Sequence, residues 1–206
     1  MTSLEMRQNQ LFLRNSDDVA GRWNFPVIHK QSLPEGEIRL IACSDTRNND
    51  TLNSEKGVHF FVDDYRFESI YRNPEKSRAK LSQYRFLLTP DYSLYADMPM
   101  WRQIESTGKS RWCGAWWQSH GMTVIPTVSW SNYPSYAFCF DGIEEKSCVA
   151  VGMIGCKANR SAFMHGYDAM LERIKPEAII YFGVPFHEMR GNIVPIDYLD
   201  SRKVVR

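Results

Sequence analysis

The segment from residue 58 to residue 141 contains three short apolar runs that each end at aspartate. They are VHFFV at 58–62 before Asp63 and Asp64, FLLT at 86–89 before Pro90 and Asp91, and AFCF at 137–140 before Asp141. Runs of this length between turn formers are typical of strands buried on both faces. In an α/β sheet, open or closed, the loops after the strand carboxyl ends form the ligand crevice. The pattern therefore predicts that the three acidic stops meet on one edge of a sheet.

The rest of the chain alternates between strand-like and helix-like segments. Further strands are expected at 38–43, 122–128, 148–154 and 178–182, and helices at 65–84, 94–120 and 161–174. Buried strands linked by helices predict an α/β fold, with a mostly parallel sheet of about six or seven strands and flanking helices. The polar or glycine stop after nearly every strand favours an incomplete barrel over an open sheet.

Length and composition are those of one folded domain. The chain has 206 residues, and its hydrophobic fraction of 43% is sufficient for a substantial core. We assign residues 1–206 to a single α/β domain, in which residues 1–50 form an N-terminal extension. The sequence shows no signal peptide and no apolar run of about eighteen residues, which predicts a cytoplasmic protein with no membrane span. No oligomeric state is assigned.

Charge and motifs exclude several common classes of function. The net charge of +1 gives no global field that would attract nucleic acid, although a local basic patch is compatible with it. The chain has no phosphate-binding P-loop, no dinucleotide-binding GxGxxG fingerprint and no GxSxG nucleophile elbow. Ordinary NTPases, dinucleotide enzymes and α/β-hydrolases are therefore disfavoured.

The acidic stops are the leading candidates for a functional site. Asp64, Asp91 and Asp141 are the candidate catalytic residues, because carboxylates in different surroundings can divide the roles of acid and base. Asp91 and Asp141 are also candidate metal ligands, since Mg²⁺ and Mn²⁺ prefer oxygen ligands of this kind. No other cofactor is indicated. The alternative is structural, because aspartate after a strand is a common helix N-cap and Asp141-Gly142 is also a plain turn signal.

Four further residues are candidate binding residues. Ser93 follows the strand end marked by Pro90 and is expected to project toward the same edge. Trp130 follows an apolar run, where its ring could stack on a sugar or a base, or else cover the core. Arg111 and Gln118 are seven residues apart on a predicted helix and share a face, which is directed either to buried partners such as the aspartates or to solvent.

The stretch from residue 58 to residue 183 resembles a family of uncharacterised proteins, a domain of unknown function found in bacteria, their phages and mobile elements. The matching segments are DDYRF at 63–67, LTPDYS at 88–93, MP at 98–99, RW at 111–112, WWQ at 116–118, VIPTVSW at 124–130, FCFDG at 138–142 and YFG at 181–183. They define residues 58–183 as the family core. The resemblance implies a cytosolic protein, often carried by a phage or plasmid, and it implies no established activity.

Two functions from different classes remain open on the sequence. The first is a phage or mobile-element factor that binds a host protein or nucleic acid, with the aspartates as caps and as partners of buried arginines. The second is a metal-dependent hydrolase or phosphodiesterase-like enzyme, in which Asp64, Asp91 and Asp141 hold a cation or share acid–base work. The capping alternative for the aspartates places the enzyme slightly behind the binding protein.

Overall fold

A computed structural model of the chain describes residues 2–153 and 159–201. Within these residues the elements in chain order are α1 (Ser3–Gln8), α2 (Gln10–Leu13), β1 (Val19–Ala20), β2 (Phe25–Pro26), β3 (Leu40–Ala42), β4 (Gly57–His59), α3 (Glu68–Arg72), α4 (Pro74–Leu81), β5 (Phe86–Leu88), α5 (Met100–Ser119), β6 (Val124–Ile125), β7 (Cys148–Gly152), α6 (Arg160–Ile174), β8 (Ala178–Phe182), β9 (Ile193–Ile196) and α7 (Tyr198–Ser201). Short 3-10 helices lie at Cys43–Asp45, Asp64–Arg66 and Tyr133–Ala137.

Two parallel sheets form the centre of the fold. The first has the order β3-β4-β5-β6 and the second the order β7-β8-β9, while β1 and β2 form a small antiparallel pair. A parallel bridge between Thr127 and Ala150 connects the segment after β6 to β7. Backbone hydrogen bonds on both sides of this bridge support it, with Ala150 donating to Pro126 at 2.9 Å and Val128 donating to Ala150 at 2.8 Å. The carboxyl ends of all seven strands therefore lie on the same side.

The helices pack on the faces of these sheets. The longest helix, α5, lies close to the first sheet because Gly114 has no side chain: a Cβ atom there would lie 2.6 Å from Ile28 Cδ1 and 2.7 Å from Thr89 Cγ2. Trp117 of the same helix is fully buried and stacks on Phe60 with ring centroids 5.7 Å apart. The tryptophan-rich stretch is thus mainly core, and it anchors the helix that borders the candidate site.

The N-terminal segment lies across α3 and α5. The Arg14 guanidinium lies 4.0 Å from the ring centroid of Trp112 and 4.5 Å from that of Tyr71, and it donates a hydrogen bond to the Tyr71 carbonyl at 2.7 Å. Further along, Ile28 is fully buried and forms a parallel bridge with Ile143. These contacts attach the segment to the rest of the fold at two separated points.

The structure confirms the α/β class and the parallel direction of the strands. It does not confirm one sheet of six or seven strands, because the parallel strands belong to separate sheets of four and three. The expected strand at 137–140 is wrong: Tyr133–Ala137 is a 3-10 helix, and the Asp141 N–H donates to the Phe138 carbonyl at 3.0 Å in a following turn. A run of four apolar residues cannot by itself distinguish a strand from a buried helical turn.

Other elements also differ from the sequence prediction. The helix expected from residue 94 begins at Met100, since Pro99 disfavours helical backbone at Met98. Strand β9 was missed because Pro195 lies inside it, and proline is tolerated there because β9 is the last strand of its sheet. Strand β7 ends at Gly152, and Ile154, the expected end, lies outside the described residues.

Candidate functional site

The carboxyl ends of β4, β5 and β6 bring together two aspartates and two serines. Asp64 follows β4, and its carboxylate accepts a hydrogen bond from the Ser93 hydroxyl at 3.0 Å and from the Ser93 N–H at 3.2 Å. Asp91 follows β5, and its carboxyl group accepts a hydrogen bond from the Ser129 side chain, which follows β6. Three predicted site residues (Asp64, Asp91 and Ser93) therefore lie side by side, and Ser129 joins them.

Asp91 lies in an electrostatic environment that differs from that of its neighbour. Burial raises the pKa of Asp91 from 3.8 to about 7, the Asp64 charge adds to the rise, and the hydrogen bond from Ser129 opposes it. A carboxyl group with this pKa gains and loses its proton near neutral pH. Asp64, in contrast, is held by the hydroxyl and the N–H of Ser93. Two carboxylates in unlike surroundings can take separate acid and base roles.

The segments after five of the strands lie on the side of the strand carboxyl ends, and together we call them the carboxyl-terminal rim. It comprises residues 60–67 after β4, 89–99 after β5, 126–137 after β6, 183–192 after β8 and 197–201 after β9, the last of which includes α7. The buried Gln103 side chain joins two of these loops, because its amide donates to the Met98 carbonyl at 2.8 Å and accepts from the Ser131 hydroxyl at 2.5 Å. With the Asp64–Ser93 and Asp91–Ser129 contacts, three neighbouring loops are fixed to one another.

A buried set of hydroxyl groups supports the rim from below. The Thr89 hydroxyl accepts hydrogen bonds from the Thr127 N–H at 2.8 Å and from the Ser110 hydroxyl at 3.1 Å, and the Thr127 hydroxyl donates to the Thr89 carbonyl at 2.7 Å. These bonds continue the pairing of β5 and β6 after their last strand residues. Their effect is to fix the backbone immediately before Asp91. In the sequence, the indication of this support was the presence of the hydroxyl residues Thr89 and Thr127 within apolar runs.

Asp141 does not belong to this group. Its carboxylate accepts a hydrogen bond from Arg173 at 2.8 Å, and its other oxygen fills the space where a Cβ atom of Gly21 would lie. Arg173 is in the last turn of α6, which leads into the amino end of β8. The convergence of all three acidic stops on one edge is therefore wrong for Asp141, because no strand precedes it.

Arg111 is a buried structural cation. Its guanidinium donates to the carbonyl oxygens of Asp141 at 2.9 Å, Cys139 at 2.6 Å and Thr127 at 3.3 Å. Burial lowers its pKa to about 10, so the group stays protonated at neutral pH. Arg111 thus connects α5 to the segment after β6, and its donors are directed at backbone rather than at the rim aspartates.

Gln118 and Trp130 also make contacts within the fold. The Gln118 side chain accepts from the His29 N–H at 2.8 Å and donates to the His29 carbonyl at 2.8 Å, which fixes the N-terminal segment to the end of α5. The Trp130 ring packs on Phe163 with centroids 5.1 Å apart and occupies the space beside Gly166. Of the two alternatives for Trp130, the structure shows a ring that covers the core.

The rim carries a set of exposed apolar side chains that the sequence analysis missed. Six lie in the rim loops, and Met100 and Trp101 lie next to them at the start of α5; the six are Tyr65, Tyr95, Tyr133, Val184, Tyr198 and Leu199. Tyr133 is 83% exposed, Tyr65 73% and Trp101 66%. Aromatic residues in turn-rich segments directly after strands were the signal that could have identified them.

The rim is also acidic. Its loops contain seven carboxylates and two arginines. Both arginines are already engaged, Arg66 with Asp63 at 3.7 Å and Arg190 with Asp168 at 2.9 Å. The rim segments thus combine exposed aromatic rings with an excess of carboxylates, one of which, Glu188, is paired with Arg160 outside the rim.

Two negative findings apply to the residues that the structure describes. Among residues 2–153 and 159–201, no group of three or more aspartate, glutamate, histidine or cysteine side chains is arranged to hold a metal ion. The predicted ligands Asp91 and Asp141 each have a different partner, Ser129 and Arg173. None of the helices in the same part of the chain combines the length and apolarity needed to cross a membrane.

Residues 18–199 match the model of the family described as Domain of unknown function (DUF4417), and the chain belongs to this family. The match extends beyond residues 58–183 on both sides and includes most of the N-terminal extension. It includes the rim segments described above as far as residue 199.

Two curated relatives are proteins of mycobacteriophages. The chain is 38% identical to the "Gene 1 protein" of Mycobacterium phage L5 over 148 residues, which is 70% of this chain and 65% of that protein. It is 40% identical to the "Gene 1 protein" of Mycobacterium phage D29 over 129 residues, which is 61% of this chain and 48% of that protein. The aligned part thus spans between about half and two thirds of these relatives. No solved structure matches the chain.

Proposed function

We propose that this protein acts in the cytosol by binding a host protein through the carboxyl-terminal rim. The observation that carries the proposal is the concentration of exposed aromatic side chains there, with Tyr133, Tyr65 and Trp101 the most exposed. Contiguous exposed apolar groups on a folded protein are typical of interaction surfaces. Tyrosine and tryptophan are also the residue types that most often dominate binding energy. The similarity to phage proteins is consistent with a partner of bacterial origin.

We also propose that the two parallel sheets together form one incomplete barrel of seven strands, and that the rim lies at the carboxyl ends of these strands. The Thr127–Ala150 bridge joins the sheets, and α7 packs against β3 on the opposite side. Across the interior, the rings of His59 and Phe182 lie with centroids 4.7 Å apart, which brings β4 next to β8. A closed or nearly closed sheet would gather all five rim loops around one mouth.

The charge of the rim supports a cationic protein segment as the partner. The excess of carboxylates would repel the phosphates of a nucleic acid, and it would attract lysine and arginine side chains. Exposed tyrosine and tryptophan rings also favour such cations through cation–π contacts. The host protein is therefore expected to present a lysine- or arginine-rich segment to this surface.

A comparison of variants tests the proposal. Tyr65→Ala/Tyr133→Ala removes two exposed rim rings, and Leu4→Ala/Leu52→Ala removes two exposed apolar side chains away from the rim. The immobilised proteins would be exposed to a mycobacterial lysate, and retained proteins would be identified and quantified. We expect retention of a specific host protein by the wild type and the control, and loss with the rim variant of about tenfold or more. Equal retention by all three proteins would contradict the proposal.

One observation favours a second candidate, a hydrolase that uses the Asp64–Asp91 pair. Asp91 has a pKa of about 7 and can donate a proton, and Asp64 is positioned by Ser93 to act on a water molecule or on the substrate. The test is hydrolysis of chromogenic phosphodiesters, glycosides and esters, with and without Mg²⁺ or Mn²⁺. Turnover that Asp91→Asn abolishes without unfolding the protein would support this candidate, and no turnover under any condition would reject it for these substrate classes.

A further inference from the structure

A second charged surface lies on α4 and the adjacent loops. Residues 71–85 contain five basic residues and one acidic residue, Glu75. Arg72 and Arg78 are paired with their helical neighbours Glu68 and Glu75 at 3.3 and 3.0 Å. Four other cations of this surface have no carboxylate within 4 Å among the described residues: Arg47, Lys76, Lys80 and Arg85. Two of them have weaker partners, since the charge of Arg47 lowers the pKa of Asp50 and Arg85 donates to the Glu37 carbonyl at 3.1 Å. We call these four side chains the basic face.

Two of these charges lie on α4, where Lys76 is exposed and Lys80 is half-buried. The buried residues of α4 are Pro74 and Leu81, seven residues apart on one side of the helix. Lys76 and Lys80 lie one turn apart on another side, with a rise of about 6 Å between them. The exposed residues of α4 are Glu75, Lys76, Arg78 and Ala79, whereas Ser77 and Lys80 are half-buried.

A glutamine holds the neighbouring loop beside this helix. The Gln83 amide donates to the Lys80 carbonyl at 2.8 Å and to the Arg47 carbonyl at 2.5 Å, so the two backbones lie side by side. The Tyr84 hydroxyl accepts from the Arg47 N–H at 3.0 Å and fixes the same loop. Arg47 is thereby brought next to Lys80 from a distant part of the sequence.

We propose that the basic face binds the phosphate backbone of a nucleic acid. Neighbouring cations that are not ion-paired attract a polyanion, and each phosphate neutralised releases condensed counterions. An anionic membrane is the less suitable occupant, because the exposed residues of α4 include no large apolar side chain that could insert among lipids. The proposal is independent of the protein-binding role of the rim.

The distribution of charge explains how a nearly neutral chain can carry such a surface. The net charge of +1 is the sum of an acidic rim and a positive remainder, of which the basic face is a concentrated part. Because screening is strong beyond about 10 Å at 0.1 M salt, each surface acts mainly on ligands close to it. A protein partner at the rim and a nucleic acid at the basic face are therefore compatible.

The test measures binding of a fluorescein-labelled 20-base-pair DNA duplex by fluorescence anisotropy at a series of salt concentrations. The variant K76E/K80E reverses two charges of the basic face. The control R7E/R22E changes the net charge by the same amount at exposed positions outside it. K76Q/K80Q removes the two charges without reversal, and circular dichroism with thermal unfolding checks that all the proteins fold.

We expect the wild type and R7E/R22E to bind at low salt, and K76E/K80E to lose about tenfold or more in affinity. The slope of log K against log salt should fall in magnitude by about 2 in K76Q/K80Q, since each phosphate contact contributes about 0.9. The proposal is overturned if the wild type does not bind DNA at low salt. It is also overturned if K76E/K80E and the control R7E/R22E lose affinity equally. Binding to phosphatidylglycerol vesicles in place of DNA, with loss in K76E/K80E, would also overturn it and assign the face to membranes.

Discussion

Ionisation of Asp91 should lower the stability of the folded protein as pH rises. Its pKa is about 7 in the folded state and 3.8 in an exposed reference. Between these values the folded protein keeps a proton that the unfolded chain has lost, so stability falls from about pH 4 to about pH 7 and levels off above. At 1.36 kcal/mol per pKa unit the difference corresponds to about 4 kcal/mol, and partial contact with solvent reduces it to about 2 to 4 kcal/mol.

The substitution Asp91→Asn isolates this effect, because asparagine cannot ionise and its carbonyl oxygen can still accept the hydrogen bond from Ser129. Urea unfolding of both proteins at intervals from pH 4 to pH 8 gives the difference in the free energy of unfolding at each pH. We expect the two proteins to have similar stability near pH 4. At pH 8 the variant should be more stable by about 2 to 4 kcal/mol, or roughly 10 °C in melting temperature.

The control for this experiment is Asp97→Asn, which removes an exposed carboxylate from the same rim loop. The difference in the free energy of unfolding between this control and the wild type should be the same at every pH. Parallel curves for Asp91→Asn and the wild type would refute the reasoning, since they would show that Asp91 ionises as easily in the folded protein as in the unfolded chain.

Three further predictions concern the scaffold of the site. Arg111→Met should lower the free energy of unfolding by about 3 to 5 kcal/mol in urea titrations, because three backbone carbonyls lose a buried charged donor. Gln118→Ala should lower the free energy of unfolding by about 1 to 2 kcal/mol, since it removes two hydrogen bonds to the His29 backbone. It should also accelerate proteolysis near residue 30, and an unchanged cleavage rate would contradict this. Gly166→Ala should lower the free energy of unfolding by about 1 to 3 kcal/mol, because the new Cβ would lie 2.1 Å from the Trp130 ring. The control Gly108→Ala, whose new Cβ would lie 3.4 Å from its nearest neighbour, should leave the free energy of unfolding unchanged or raise it.

The sequence predicted the parts of the fold that local pattern determines. Pro74 was expected at the first position of a helical segment and begins α4, and the helix expected at 161–174 is α6 with a difference of one residue at its start. Strand directions followed from the alternation of buried strands with helices. What local pattern could not determine was the pairing between distant segments, such as the division of the strands into two sheets, since this depends on contacts that no short window contains.

The candidate site was predictable only where strand and loop were identified correctly. Asp64, Asp91 and Ser93 follow true strands and lie together, whereas Asp141 follows a 3-10 helix and pairs with Arg173. The sequence left open whether Arg111 faces buried partners or solvent. Its partners are three backbone carbonyls that only the tertiary fold brings together, so no local pattern could identify them. The exposed rim rings could not be separated from core aromatics by composition, since the sequence contains both.

Binding at the rim and protonation of Asp91 must influence each other if a cationic segment reaches the aspartates. A positive charge near Asp91 favours its ionised form and lowers its pKa, and by linkage the affinity for that charge rises as Asp91 ionises. A lysine-rich peptide should therefore bind the wild type more tightly at pH 8 than at pH 6, by roughly fivefold if its presence lowers the pKa by one unit and by at most about tenfold for a larger shift. Asp91→Asn should lose this dependence while its affinity at pH 6 stays close to that of the wild type. Affinity independent of pH in both proteins would place the peptide on the outer aromatic rings, away from the carboxylates.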